Sequence, residues 1–326
     1  MADLSKMIEA LKKNPKKIVF TEGTDERILK AAERLSEDSF LQPVLVGKKE
    51  EIIEAAKERG YRIEKALIID PNNYERFDEM VDTFVELRKK KGVTKEDATK
   101  MLMQPNYFGT MLVKIGVADA LLGGATYSTA DTVRPALQLI KTKPGNSIVS
   151  SCFIMTREVG GKVESMAMAD CAINLHPSED ELVEIMYETA KCAEIFGIDP
   201  KIAFLSYSTL GSGKGDDVTL MANATAKAKK KYPDMAIEGE LQFDAAVSPE
   251  VANTKAKGSK VAGQANVFIF PDINAGNIGY KIAQRCGGYE AFGPILLGLN
   301  APINDLSRGC VADEVYAMAV ITAALA

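Results

Sequence analysis

Short runs of β-branched and apolar residues alternate with longer amphipathic runs along most of the chain, and this rhythm constrains the fold more than any other feature. Lys17–Gly23 (KIVFTEG) predicts a strand and Asp25–Leu35 a helix; Pro43–Gly47 and Lys49–Arg59 repeat the pair. Ala66–Asp70 predicts a third strand. A helical stretch rich in Lys and Glu follows, then a fourth strand at Ala120–Gly124 (ALLGG) and a helix starting near Ser128 and Thr129, both good N-cap types. Strands separated by helices lie side by side in a mostly parallel sheet, because parallel neighbours need a crossover connection that the helix supplies.

Lys143-Pro144-Gly145-Asn146 interrupts the rhythm and marks a domain boundary. Two long strand-like segments come next, Ser147–Thr156 and Glu164–Asn174, with Gly160-Gly161 between them as a hairpin signal. The rhythm then resumes with strand Lys201–Ser208, helix Asp216–Lys231, strand Ala236–Gln242, helix Pro249–Lys257, strand Val267–Pro271 and helix Ala275–Cys286. Ile295–Leu299 reads as a last strand, and Gly309–Asp313 leads into a C-terminal helix. With 326 residues, and domains of roughly 100–200 residues each, two domains are expected.

The composition excludes several classes. The net charge of −5 offers no basic face for nucleic acid, so an anionic substrate must be met by a local cluster of cations. Met1–Lys17 has no apolar core of the kind a secretory signal needs. The longest apolar stretch, Val315–Ala326, is too short for a bilayer, which takes about 20 residues. Cys152, Cys171, Cys192, Cys286 and Cys310 are scattered and odd in number, which argues against a disulfide framework or a zinc site and for reduced thiols in a cytoplasm. No metal site is expected.

Familiar motifs fail. Leu210–Gly215 (LGSGKG) looks like a phosphate loop, but Thr209 stands where a Walker A glycine is required and Gly215 where Ser or Thr is required. No G-x-G-x-x-G closes the first strand, and no G-x-S-x-G is present. The single histidine, His176, sits in a polar loop ahead of a helix and reads as a surface residue. The arginines say more. Arg134 in STADTVRP, Arg285 in GNIGYKIAQRCGG and Arg308 in NDLSRGC each lie among Gly, Ser, Thr or Asn, a setting that suits forked recognition of an oxyanion; structural ion pairs are the alternative.

At these residues the chain resembles the phosphate acetyltransferase family (phosphotransacetylases), with phosphate butyryltransferases as near relatives. Six segments carry the likeness: Asn106–Thr110 (NYFGT), Ser128–Pro135 (STADTVRP), Ala169–Asn174 (ADCAIN), Gln242–Ala246 (QFDAA), Gly276–Arg285 (GNIGYKIAQR) and Asn304–Cys310 (NDLSRGC). The resemblance implies two α/β domains with a cleft between them, like isocitrate and isopropylmalate dehydrogenases. The first, discontinuous, domain is 1–146 plus 301–326 and the second 147–300. It also implies a homodimer, no cofactor or metal, and a reversible reaction: acetyl-CoA plus phosphate gives coenzyme A plus acetyl phosphate, by direct thiolate attack in a ternary complex.

Matched position by position, Ser307 and Arg308 correspond to the family's active-site pair. Arg134 corresponds to an arginine near the phosphate and Arg88 to a further one; because the leaving phosphate needs anion binding, the hydroxyls of Ser128 and Thr129 are candidates beside Arg134. Lys281, Arg285 and Cys310 fall on the coenzyme A side. The family has Glu then Asp where this chain has Asp313 then Glu314, so either carboxylate is a candidate base, with Glu314 at the matching position. Three rival readings are a longer acyl chain, as in phosphate butyryltransferase, a dehydrogenase of the same architecture, and a non-catalytic domain that binds acetyl-CoA. The Ser307-Arg308 pair favours an enzyme.

Overall fold

The computed structural model describes residues 4–326; residues 1–3, which the sequence reading assigns to the first domain, lie outside the described residues. In chain order the elements are α1 (Ser5–Lys13), β1 (Lys16–Phe20), α2 (Glu26–Asp38), β2 (Leu41–Val46), α3 (Lys49–Arg59), β3 (Leu67–Ile69), α4 (Phe77–Arg88), α5 (Lys95–Leu102), α6 (Pro105–Lys114), β4 (Ala120–Gly123) and α7 (Thr129–Pro135). There follow β5 (Ser150–Val159), β6 (Lys162–Ala169), α8 (Glu179–Ile195), β7 (Lys201–Leu205), α9 (Asp216–Lys231), β8 (Ala236–Leu241), α10 (Phe243–Val247), α11 (Pro249–Lys255), β9 (Val267–Ile269), α12 (Ile273–Gly287) and β10 (Glu290–Leu297). The chain finishes with β11 (Ile303–Asp305) and α13 (Ala312–Ala324).

These elements fall into two compact units, one formed by Leu4–Pro144 with Leu299–Ala326, the other by Gly145–Gly298. The first holds a five-stranded sheet in the order β11-β4-β1-β2-β3, parallel at every pairing. Its core joins Val19, Val44, Leu121 and Ile303 of the sheet to Phe84, Phe108 and Met111 of the helices. Phe20, Phe84 and Phe108 are fully buried, and burial of a side chain of this size stabilises by about 1.5–3 kcal/mol. Asp25 caps α2 by accepting from the amide of Arg27. α13 is apolar all round, and Val315 through Ala323 are buried without interruption, as a helix covered on every side must be. The apolar run at Val315–Ala326 is therefore a core helix against α1, α2 and β4.

The second unit holds a mixed six-stranded sheet, β10-β5-β6-β9-β7-β8. β5 and β6 form the expected hairpin, and β10 also runs antiparallel to β5, while β6, β9, β7 and β8 are parallel. Its core is built on Phe153, Met155, Met168, Leu205, Leu241 and Phe268.

Several boundaries differ from the expectation. β6 stops at Ala169 because the Asp170 carboxylate accepts the amides of Ala172, Ile173 and Asn174, folding that segment into a turn. The expected helix Pro249–Lys257 is preceded by the separate short helix α10, and the two part at Ser248, which caps α11. The last strand is not Ile295–Leu299: β10 ends at Leu297, and β11 follows in the other sheet. Three residues of β11 gave too short a period to read. Among the described residues, no helix is long and apolar enough to cross a membrane.

Candidate active site

In the first unit, β11, β4 and β1 are adjacent and parallel, so their C-terminal ends come together on one edge. In open α/β sheets this is the edge where ligands bind. It carries Leu306-Ser307-Arg308 after β11, Gly124 to Thr126 after β4, and Thr21-Glu22 after β1. The Leu306 amide donates to the Gly123 carbonyl at 2.6 Å, fixing the start of the Ser307-Arg308 loop against β4. Glycine is required at 124. Its φ is +96°, and a Cβ there would lie 2.1 Å from Asp305 Oδ1.

The loop itself is short and exposed at Ser307, Arg308 and Gly309. It closes by a turn in which the Cys310 amide donates to the Ser307 carbonyl at 2.9 Å, while the Gly309 amide donates to Ser307 Oγ at 3.3 Å. α13 begins at once. Its third residue, Glu314, reaches back so that Oε2 accepts the Val311 amide at 3.0 Å. Val311 has no side-chain acceptor to return, so only half a capping box forms. Oε1 of Glu314 has no partner among the described residues. Asp313 instead faces Arg34, 3.5 Å away, with both side chains exposed. The two candidate bases are thus separated: Glu314 is turned to the loop and Asp313 away to α2. Cys310, expected on the coenzyme A side, is buried, and burial pushes its thiol up, an effect that Arg27 opposes and Glu314 adds to.

Helix α7 is held to this edge by Asp305, the last residue of β11. Its carboxylate is buried and accepts from Thr129 Oγ1 at 2.6 Å and Thr132 Oγ1 at 2.5 Å. Burial raises its pKa, and the two threonine bonds oppose the rise. Pro135 lies inside α7 and has no amide to offer the carbonyl four residues back. That carbonyl, of Asp131, takes the Asn106 side-chain amide instead, at 2.7 Å. The Asn of NYFGT therefore repairs the helix that the Pro of STADTVRP interrupts, and α7 is tied to α6.

Arg134, on the exposed side of α7, lines a cavity of about 420 Å³ with Arg88, Ala130, Val133, Leu137 and Gln138. Arg134 has one loose contact, 3.9 Å to Asp131. Arg88 Nε is buried with no hydrogen-bond partner. Two guanidiniums so little satisfied thus line one small cavity together. The hydroxyls expected beside them are committed elsewhere: Ser128 donates to Asp131 at 2.7 Å and Thr129 to Asp305. Neither hydroxyl is free to donate to phosphate in this arrangement.

Two residues that the sequence reading passed over organise the edge. Glu22 accepts the amides of Gly124 at 3.0 Å and Thr126 at 3.1 Å, and its carboxyl is raised by burial. Arg27 is paired with Asp25 and donates to three main-chain carbonyls, of Ala125, Arg308 and Cys310. The signal was present in TEGTDER, directly after the first strand, but nothing in the spacing said which backbone it would meet.

In the other unit, Lys281 and Arg285 are exposed on α12, and Lys281 donates to Asn277 at 2.8 Å. His176 is exposed. The LGSGKG loop is folded around an internal carboxylate. Glu240 Oε1 accepts the Gly211 amide at 2.6 Å and the Ser208 hydroxyl at 2.9 Å, and Ser208 Oγ in turn takes the Gly213 amide. An amide already given to a carboxylate cannot cradle a phosphate, so the nucleotide-loop reading fails on geometry as it did on sequence.

Comparison with known proteins agrees over the full chain. The family model for phosphate acetyl/butaryl transferase matches residues 4–323. The chain is 52% identical to a phosphate acetyltransferase of Bacillus subtilis (strain 168) over 327 residues, covering 100% of both. A phosphotransacetylase structure from Streptococcus pyogenes superposes with a TM-score of 0.94 at 53% identity, covering 99% of this chain and 98% of that one. A branched-chain phosphotransacylase from Enterococcus faecalis V583 shares the fold, with a TM-score of 0.67 at 19% identity over 95% of this chain and 98% of that one. The expected dehydrogenase-like α/β fold is the one this family has.

Proposed function

Because the chain belongs to the phosphate acetyl/butaryl transferase family, we propose that it transfers an acetyl group reversibly between acetyl phosphate and coenzyme A. The observation that carries this reading is the exposed Ser307-Arg308 pair on the ligand-binding edge of a parallel sheet, with the open Oε1 of Glu314 on the helix that follows directly.

In the direction of thioester synthesis, the thiol of coenzyme A gives its proton to Glu314, and sulfur attacks the acetyl carbonyl carbon. The C–S bond forms as the carbon–oxygen bond to phosphate breaks, and inorganic phosphate leaves. Negative charge grows on the carbonyl oxygen during attack, and the Ser307 hydroxyl and Arg308 guanidinium donate to it. Glu314 is preferred to Asp313 because Asp313 is turned to Arg34. The Arg88–Arg134 cavity takes a phosphate group, with Arg134 closest to the transferred phosphate in this reading. Lys281 and Arg285 stay assigned to coenzyme A by family likeness. Chemistry of this type needs no metal or other cofactor, because phosphate leaves well once its charge is met.

A homodimer and a cytoplasmic location complete the proposal. Ile278 and Ile282, one turn apart on α12 and each 57% exposed, give the second unit an apolar face that a second copy would cover. The scattered thiols support a reducing compartment.

The purified chain should convert acetyl phosphate and coenzyme A to acetyl-CoA, followed as thioester absorbance, without added metal. Turnover with butyryl phosphate in place of acetyl phosphate sets the chain length. Absence of thioester from both donors rules the proposal out.

A further inference from the structure

We infer that Arg27 is a positioning residue for the Ser307-Arg308 pair: one guanidinium, held in place by Asp25, fixes the loop that carries the pair against the segment that leads from β4 into α7. The inference rests on the proposed reaction for its kinetic consequences and on the hydrogen bonds alone for its geometry.

A guanidinium has five N–H donors in a fixed fork. In Arg27 each has a destination. Nε donates to Asp25 Oδ1 at 3.0 Å, and Nη2 to Asp25 Oδ2 at 2.8 Å. Nη2 also donates to the Ala125 carbonyl at 2.8 Å. Nη1 donates to the Arg308 carbonyl at 2.8 Å and the Cys310 carbonyl at 3.3 Å, and lies 3.6 Å from Cys310 Sγ. Nothing is left over for a substrate oxyanion, so Arg27 does not act on the reacting atoms. What it does is set a distance. Ala125 lies directly after Gly124 at the end of β4, three residues before the cap of α7; Arg308 lies in the exposed tip of the other loop and Cys310 just beyond it.

The mount is rigid. Asp25 is the N-cap of α2, whose Ile28, Leu29, Ala31, Ala32 and Leu35 are buried in the core. The loop has few other restraints: Leu306 is bonded to Gly123, and the Val311 amide to Glu314 at the far end. Between them Ser307, Arg308 and Gly309 are exposed, and Arg27 is the side chain that reaches their backbone from another element. Lysine cannot replace it, because a single ammonium has no fork with which to meet a carboxylate and three divergent carbonyls.

The test uses the full-length chain with Arg27→Lys and Arg27→Ala. A displacement of the pair by about 1 Å should cost roughly 10²-fold in kcat. The KM values for coenzyme A and acetyl phosphate should stay within about threefold, because substrate contacts are untouched. Millimolar guanidinium should restore part of the kcat of Arg27→Ala, and the same concentration of sodium chloride should not. A readout independent of activity is the alkylation rate of Cys310, followed by mass spectrometry of its peptide; it should rise as the loop loosens in Arg27→Lys, the variant that keeps a positive charge beside the thiol. Wild-type kcat in Arg27→Lys with unchanged Cys310 reactivity overturns the inference. So does a loss of unfolding stability alone, with kcat intact. If Arg308→Ala also turns over normally, the failure lies with the proposed reaction; if Arg308→Ala is slow and Arg27→Lys is not, it lies with Arg27.

Discussion

Gly124→Ala tests the architecture of the edge directly. An alanine at φ +96° sits in a backbone region that L residues rarely adopt, which costs about 1–3 kcal/mol. Its Cβ would also stand 2.1 Å from Asp305 Oδ1 and 3.1 Å from the Leu306 amide nitrogen, so the Asp305 carboxylate must move. That carboxylate holds two hydroxyls, of Thr129 and Thr132, and a hydrogen bond to a charged group contributes roughly 1.5–3 kcal/mol. Losing one such bond together with the backbone strain gives a destabilisation of about 2.5–6 kcal/mol. Urea unfolding followed by circular dichroism measures it. Gly116→Ala is the control, since Gly116 belongs to the same unit, has φ +73°, and a Cβ there would meet nothing within 4 Å. The control isolates the backbone cost, and the excess in Gly124→Ala is the collision with Asp305. Asp305→Ala should remove that collision, so the double variant should be less damaged than the two single changes added together. Equal losses in the two glycine variants, or strict additivity with Asp305→Ala, would refute the reasoning.

Three further outcomes are expected. Arg308→Ala should lower turnover by about 10²–10³-fold, the loss typical of one removed oxyanion donor, with the circular dichroism spectrum unchanged; near-normal turnover counts against its role. Glu314→Ala should slow thioester formation strongly while Asp313→Ala stays close to wild type, and the reverse order in steady-state assays would exchange the two assignments. Burial alone would raise the Asp25 carboxyl, but hydrogen bonds from Arg27 carry it below its ordinary 3.8. A carboxyl lowered by folding stabilises the folded chain above its unfolded value and loses that contribution as pH falls through the folded value. The stability gap between wild type and Asp25→Asn in urea should therefore be full at neutral pH and close below about pH 4; a gap that stays constant into acid refutes the linkage.

The parallel layers were legible because their signals are local. KIVFTEG and ALLGG carry the apolar density of strands buried on both faces, and they lie where β1 and β4 form. Ser307 and Arg308 were legible as residue types in a resembling motif. Their neighbours were not, because what identifies Arg27, Glu22 and Asp305 is a partner about 100 to 280 positions away. Sequence spacing says nothing about contacts at that range. Ser128 and Thr129 show the converse limit. Their hydroxyls looked available, and only coordinates reveal that two carboxylates already hold them. Asn106 is a third kind of case: its position was noticed in NYFGT, but its task follows from a proline 29 residues later whose missing amide leaves a carbonyl to be satisfied.

The first unit is assembled from two stretches of chain, with the whole of Gly145–Gly298 made between them. A ribosome therefore finishes β1 through β4 well before it makes β11 and α13, and the apolar surface that α13 will cover waits through the synthesis of an entire second unit. Ser307 and Arg308 arrive in that late stretch, so the growing polypeptide holds no assembled site until this closing piece docks. A chaperone shielding that bare flank during elongation would be acting where this protein is most at risk of sticking to its neighbours.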